Sequence, residues 1–262
     1  MRKDVSHEMI RQEIRRVFHS PFFYLSIFIL LIGSFVAVFD CLADSNDVVY
    51  LFDVTGLGYG MALIPILSSL AVADSYLIEY QSGYHYAVMS RTTKLRYCFS
   101  KMGVAIVSGI FVVLFMKLLL LALLAAVAQC LHGEFVFGGE EAVQYFDNTS
   151  ILILRRQFGL FIAQNILYDC LYASVFPGLS LAVSTLVKNK YVVMLFPFIY
   201  ANVTALVFVG LKWYYLTPMV LGSEGRAKLL SHEGLPFHIM VALIYWIVST
   251  IWFVRGVCRE TK

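Results

Sequence analysis

Six long apolar runs decide most of what this chain can become. They are Pro21 to Phe39, Gly56 to Ala73, Met102 to Ala128, Phe158 to Val187, Tyr191 to Leu211 and Phe237 to Val254. A helix rises about 1.5 Å per residue, so roughly 20 apolar residues cross the hydrocarbon core of a bilayer. No water satisfies backbone N–H and C=O groups there, and a helix closes those bonds within the run itself. The expected fold class is an all-α integral membrane protein with six transmembrane helices, residues 1–262 forming one membrane domain. Composition agrees, because 60% of the residues are hydrophobic, only 14% are charged and mean hydropathy is +0.78, which leaves no polar stretch long enough for a separate water-soluble core. The third and fourth runs exceed what a span requires, which predicts tilt, a kink near Pro177 or a surface-lying end.

Orientation follows from Lys and Arg, which accumulate in cytoplasmic loops. With the amino terminus inside, the inner segments hold fourteen of the twenty basic residues, among them Arg11, Arg15, Arg16, Arg91, Lys94, Arg96, Lys101, Lys188, Lys190, Arg255 and Arg259. The first outer loop has no Lys or Arg and carries Asp40, Asp44, Asp47 and Asp53. An odd number of spans would break this bias, so both termini are expected in the cytoplasm of a plasma-membrane protein. A net charge of +3, distributed in short clusters at the ends of apolar runs, gives no support to nucleic-acid binding.

Residues 1–20 read as an interfacial helix: Met9, Ile10, Ile14, Val17 and Phe18 recur at helical spacing beside Arg11, Arg15 and Arg16. The first apolar run starts too late for a secretory signal and lacks a small-residue cleavage site, so the segment is expected to persist. Two outer segments are more than linkers. One is Gln129 to Gln157; the other, 212–236, contains Trp213, Tyr214, Tyr215 and Pro218 and reads either as a re-entrant dip or as an aromatic anchoring belt. The five cysteines show no C-x-x-C spacing. Cys41 and Cys130 both fall near outer helix ends, and whether they are bridged stays open.

The inner stretch from Asp74 to Lys101 mixes acids, aromatics and bases over about 28 residues, too polar to span and too patterned for a tether. Asp74, Glu79, Gly83, the Ala87 to Met89 patch, Ser90, Arg91, Tyr97 and Lys101 follow one another in an order that resembles the permease subunits of type-2 ATP-binding-cassette transporters. The six-span plan, the basic amino-terminal helix and Tyr215-Leu-Thr-Pro218 before the last span extend the likeness. The chain departs from that pattern with Met89 where a proline commonly precedes Ser-Arg, and with Tyr84 where a small residue often follows the glycine.

The resemblance implies that 74–101 is a cytoplasmic coupling segment whose short helix fits a groove on an ATPase. It assigns ATPase coupling to Asp74, Glu79, Gly83, Ser90, Arg91 and Lys101. Glu79 and Arg91 would pair with a partner's charges, and Gly83 would permit a helix break. The chain has no G-x-x-x-x-G-K-[ST] segment, so ATP and Mg belong on a separate partner. The implied assembly is two ATPase copies and a second permease copy or homologue in a lipid bilayer, forming an exporter. This chain would bind no cofactor of its own. Peptide, drug and lipid are all open as substrates, an amphipathic peptide being the first expectation.

Lys117 and Asp169 fall inside the third and fourth runs, where an unpaired charge costs about 2.5 to 3.5 kcal/mol on insertion scales. Lys117 lies about 24 Å from Lys101 along its helix and Asp169 about 28 Å from Lys188 along its own. These similar heights predict an intramembrane polar pair or a shared polar cavity. Gly56-Leu-Gly58-Tyr-Gly60 has spacing suited to close helix contact, which leaves dimerisation and loop flexibility as equal readings. Two alternatives to transport stand: a membrane anchor or assembly factor, and an intramembrane enzyme. His7-Glu8, His232-Glu233 and Gly178-Leu-Ser180 do not supply a metal-ligand set or a nucleophile with its base, so no catalytic or metal residue is assigned.

Overall fold

The computed structural model describes residues 2–57, 59–145, 151–213, 215, 217–222 and 235–260. Among these, six helices are long and apolar enough to cross a membrane. The chain is a multi-pass integral membrane protein.

The amino-terminal helix α1 (Arg2–Phe18) ends where His19 and Ser20 break the pattern, and Pro21, whose missing N–H is harmless in a first turn, opens α2 (Pro21–Val38). A short helix α3 (Val48–Val54) folds back from the first loop, before α4 (Tyr59–Leu70) and α5 (Ser75–Gln81) make the second span. Helix α6 (Tyr84–Arg91) precedes α7 (Lys94–His132), the longest element. Short helices α8 (Glu140–Tyr145) and α9 (Ile151–Leu154) lead to α10 (Phe158–Ser184), α11 (Lys190–Gly210) and α12 (Leu235–Glu260).

Helix α7 runs for 39 residues because nothing interrupts it between the Thr93 cap and Gly133, which adopts φ +77°. That is about 58 Å of helix, nearly twice a hydrocarbon core of about 30 Å. Its polar first turns, Lys94 to Lys101, therefore project beyond the lipid and serve as a post for α1 and α5.

Helix α10 is the axis of the bundle. Its spanning window is 89% buried, with α4, α7, α11 and α12 packed around it. Its polar residues Asn165, Asp169, Ser174, Ser180 and Ser184 are all buried, and in lipid such groups find partners only inside a bundle. Helix α11 is two-sided: Val193, Pro197 and Ala201 face inward, while Leu195, Ile199, Val203 and Leu206 form an exposed stripe at helical spacing.

Proline and glycine set the tightest contacts. Pro177 cannot donate to the Ala173 carbonyl one turn earlier, and Gly109 of α7 packs directly there. A Cβ on Gly109 would stand 2.7 Å from Ala173 O and 2.9 Å from Pro177 Cγ. Pro197 likewise leaves the Val193 carbonyl unpaired in α11, and the Ser180 hydroxyl of α10 donates to it at 2.8 Å. Gly60 is occupied within the chain, since a Cβ there would meet Ser34 Oγ of α2 at 2.5 Å. Close approach of α2 and α4 accounts for that glycine without a second copy, and Gly58 lies outside the described residues.

On the face opposite α1, Asp47 accepts four backbone N–H groups, from Val49 at 2.9 Å, Gly138 at 3.2 Å, Gly139 at 2.7 Å and Ala142 at 3.3 Å. The first and second outer segments are thereby tied together, and Val48 N–H adds a bond to Val136 O at 2.9 Å. Within 212–236, Pro218–Leu221 forms one turn packed against α10, α11 and α12, with Pro218, Val220 and Leu221 buried. Trp213 and Tyr215 stay more than half exposed, and 223–234 lie outside the described residues. Cys41 and Cys130 carry free thiols.

Candidate functional site

The stretch from Asp74 to Lys101 folds as helix, glycine, helix, cap, helix. Asp74 stands at the N-cap of α5 without a side-chain capping bond. Gly83 adopts φ +70° with nothing within 4 Å of a would-be Cβ, so the backbone turn alone demands glycine there. That turn lets α6 fold back on α5. His85, 1% exposed, lies under α6, its ring stacked on Tyr80 with centroids 5.1 Å apart and its Nδ1 3.2 Å from the Glu79 carbonyl oxygen.

The outer face of α6 is Tyr84, Tyr86, Ala87 and Ser90, all exposed, while Val88 and Met89 are half-buried against the core. Two tyrosines and two small residues are thus displayed together at the basic end of the molecule. The Arg91 side chain lies outside the described residues.

Beneath α6 is a knot of charge built from three elements. Glu79 Oε1 accepts from Lys101 Nζ at 2.8 Å and from Arg16 Nη1 at 3.0 Å, and its Oε2 accepts from the Tyr97 hydroxyl at 2.6 Å. Lys101 also donates to Glu13 Oε1 at 3.2 Å and to Ser75 Oγ at 3.4 Å. Glu79 and Lys101 are 4% and 2% exposed. Burial holds the Glu13 carboxyl above its ordinary range, with Lys101 opposing and Glu79 reinforcing the rise. Two acids and two bases balance, and both Glu79 oxygens are engaged.

Glu79 therefore faces inward, although its place between two spans reads as a surface charge waiting for a partner. Its own helix α5 continues the second span, so the side chain projects into the bundle end. Sequence reasoning singled out Glu79 and Lys101 but missed their α1 partners. Glu13 and Arg16 share one face of α1 at i, i+3 spacing, the only available sign that this helix had a polar contact to make.

A second contact closes the same end of the bundle. Glu260, the last described residue of α12, bonds the Tyr76 hydroxyl and Lys188 Nζ. Lys188 also sits 3.9 Å from the Tyr80 ring centroid. Beside it an open pocket of about 460 Å³ is lined by Asp74, Leu77, Ile78, Gln81, Lys188, Asn189, Lys190 and Tyr191.

The structure also brings Lys117 and Asp169 together, with Nζ 2.8 Å from Oδ2 and both side chains at most 5% exposed. The pair is not isolated. Lys117 lies 5.0 Å from the Phe52 ring centroid, and Asp53, the next residue of α3, accepts from Asn165 Nδ2 at 3.3 Å. Asn165 is one helical turn before Asp169 on α10. Neither Asp53 nor Asn165 stood out in the sequence, because an acid in an outer loop reads as solvated and a lone amide in an apolar run has no pattern. Comparison with protein-family models, curated proteins and solved structures found no match.

Proposed function

We propose that this chain is the membrane subunit of an ATP-driven exporter, a type-2 ATP-binding-cassette permease with both termini in the cytoplasm. It acts as a pair of permease chains on two separate ATPase chains that hold the ATP and Mg. The observation that carries this reading is the pairing of a displayed helix with a buried transmission. Helix α6 offers Tyr84, Tyr86, Ala87 and Ser90 outward, and directly beneath it Glu79 binds α5, α1 and α7 into one unit.

A push on α6 passes through the His85–Tyr80 stack to α5. Glu79 then carries it to Lys101 on α7 and Arg16 on α1, so the interfacial helix and two spans move together. Gly83 sets the angle at which α6 is held. Asp74 and Ser90 belong to the rim, Glu79 and Lys101 to the transmission, and the coupling role of Arg91 rests on the resemblance alone. An amphipathic peptide remains the favoured cargo class.

Ala87→Arg tests the surface without disturbing the knot, because Ala87 is exposed. The full chain purified from its native membranes is expected to carry a nucleotide-binding chain and its ATP hydrolysis. The variant should lose at least ten-fold of that activity while its thermal unfolding is unchanged. A membrane anchor that moves nothing could keep a partner but would show no ATP-dependent export. Equal hydrolysis in variant and wild type would remove α6 as the coupling element.

A further inference from the structure

The two buried charge clusters differ in their arithmetic. At the basic end, Glu13 and Glu79 are matched by Arg16 and Lys101. Around Lys117 the count is two acids to one base: Asp169 is in direct contact with the ammonium, and Asp53, half-buried on α3, lies within range of both charges. Asp169 holds the lysine directly, leaving Asp53 to an amide hydrogen bond from Asn165. A second full negative charge in such a place is costly, and carboxylates that share a site are relieved when one takes a proton.

We propose that Asp53, Asn165, Lys117 and Asp169 form a proton-binding site in which a proton on Asp53 clasps α3 into the bundle. The clasp opens toward the face opposite α1, so it responds to pH on that side of the membrane. The site stands independently of the exporter reading.

The placement of α3 supports this. Val48, Val49, Leu51 and Phe52 are all buried, so the helix is docked, and Asp53 is its one ionisable group turned to α10. Other titratable groups on packed elements have different duties. Asp47 caps α3 and is saturated by N–H donors; His132, at the end of α7, has Nε2 3.0 Å from Leu42 O; Glu140 of α8 and Tyr24 of α2 are exposed.

Burial, with Asp169 adding to it and Lys117 opposing, pushes the Asp53 carboxyl up to about 6 from its ordinary 3.8. The sign follows directly. Between about pH 4 and 6 the docked state binds more protons than the released state, so docking weakens as pH rises through that window and is weakest above it. Two pKa units correspond to roughly 100-fold in the docking equilibrium.

Hydrogen exchange of the Val48–Val54 amides in the full chain, normalised to intrinsic rates at each pH, reads the docking. Protection is expected to fall about 25-fold in wild type from pH 4.5 to 7.5, that range covering only part of the full window, and to stay high and flat in Asp53→Asn, whose amide is neutral at every pH. Infrared titration should show a protonated-carboxyl band with a midpoint near pH 6 that is absent from Asp53→Asn. In Asn165→Ala, which removes a donor to the charged form, the midpoint should rise. A flat wild-type profile, the same fall in Asp53→Asn, or a midpoint unmoved in Asn165→Ala would overturn the proposal.

Discussion

Glu79→Ala is expected to destabilise the protein by about 3–5 kcal/mol, the usual consequence of breaking a buried pair by removing one partner. The variant strands Lys101, whose side chain is 1% exposed, with Glu13 as its remaining anion. It also leaves the buried Tyr97 hydroxyl without its acceptor and leaves Arg16 only its long bond to the Ser75 carbonyl on α5. Glu79→Gln should cost less, because an amide oxygen can still accept from Tyr97. Thermal unfolding in detergent measures the loss. Tryptic cleavage after Arg15 and Arg16 should accelerate in Glu79→Ala, since α1 would be held only by Lys101–Glu13, the long Arg16–Ser75 carbonyl bond and packing. A change below about 1 kcal/mol with unaltered cleavage would mean that α1 is held by packing alone.

The second large effect is a coupled one. Lys117→Ala and Asp169→Ala should each cost about 3–5 kcal/mol at neutral pH, and the double variant should cost less than their sum by about 1–3 kcal/mol. The two singles are not equivalent. Asp169→Ala leaves Lys117 with Asp53 as a substitute counter-charge, whereas Lys117→Ala leaves the buried Asp169 and the half-buried Asp53 repelling one another with no cation between them. Lys117→Ala should therefore be the more damaging and should improve as pH falls, when a carboxyl can take a proton. Equilibrium unfolding of the three variants decides this. Additive losses would show that the two residues act separately.

What the sequence made legible was set by chain-local physics. A run of about 20 apolar residues crosses a bilayer whatever surrounds it, so the six spans and the all-α class followed from hydropathy. Lys117 and Asp169 could be placed at similar heights because helical rise is constant. Helix α7 exceeded its apolar run because Thr93 caps it, Lys94, Leu95 and Arg96 are good helix formers in its first turn, and Gly133 stops it.

Features that depended on chain reversal were hidden. Lys101 and Glu13 are 88 residues apart, Asp53 and Asn165 are 112 apart, and neither pair shares a local pattern. Asp47 and Asp53 read as solvated loop acids until the loop folds in, one becoming a backbone anchor and the other a half-buried neighbour of the Lys117 pair. The resemblance ordered the residues of 74–101 but could not say which way they point. Glu79 points in, and Tyr84 and Tyr86 point out.

A benzoylphenylalanine placed at position 86 replaces an exposed tyrosine with a photoreactive group of similar shape on the face assigned to the ATPase. Illumination of native membranes should give one adduct with a nucleotide-binding chain from positions 84 and 86, and none from position 22 on α2. The same absence of a nucleotide-binding adduct at positions 84 and 86 would contradict the account.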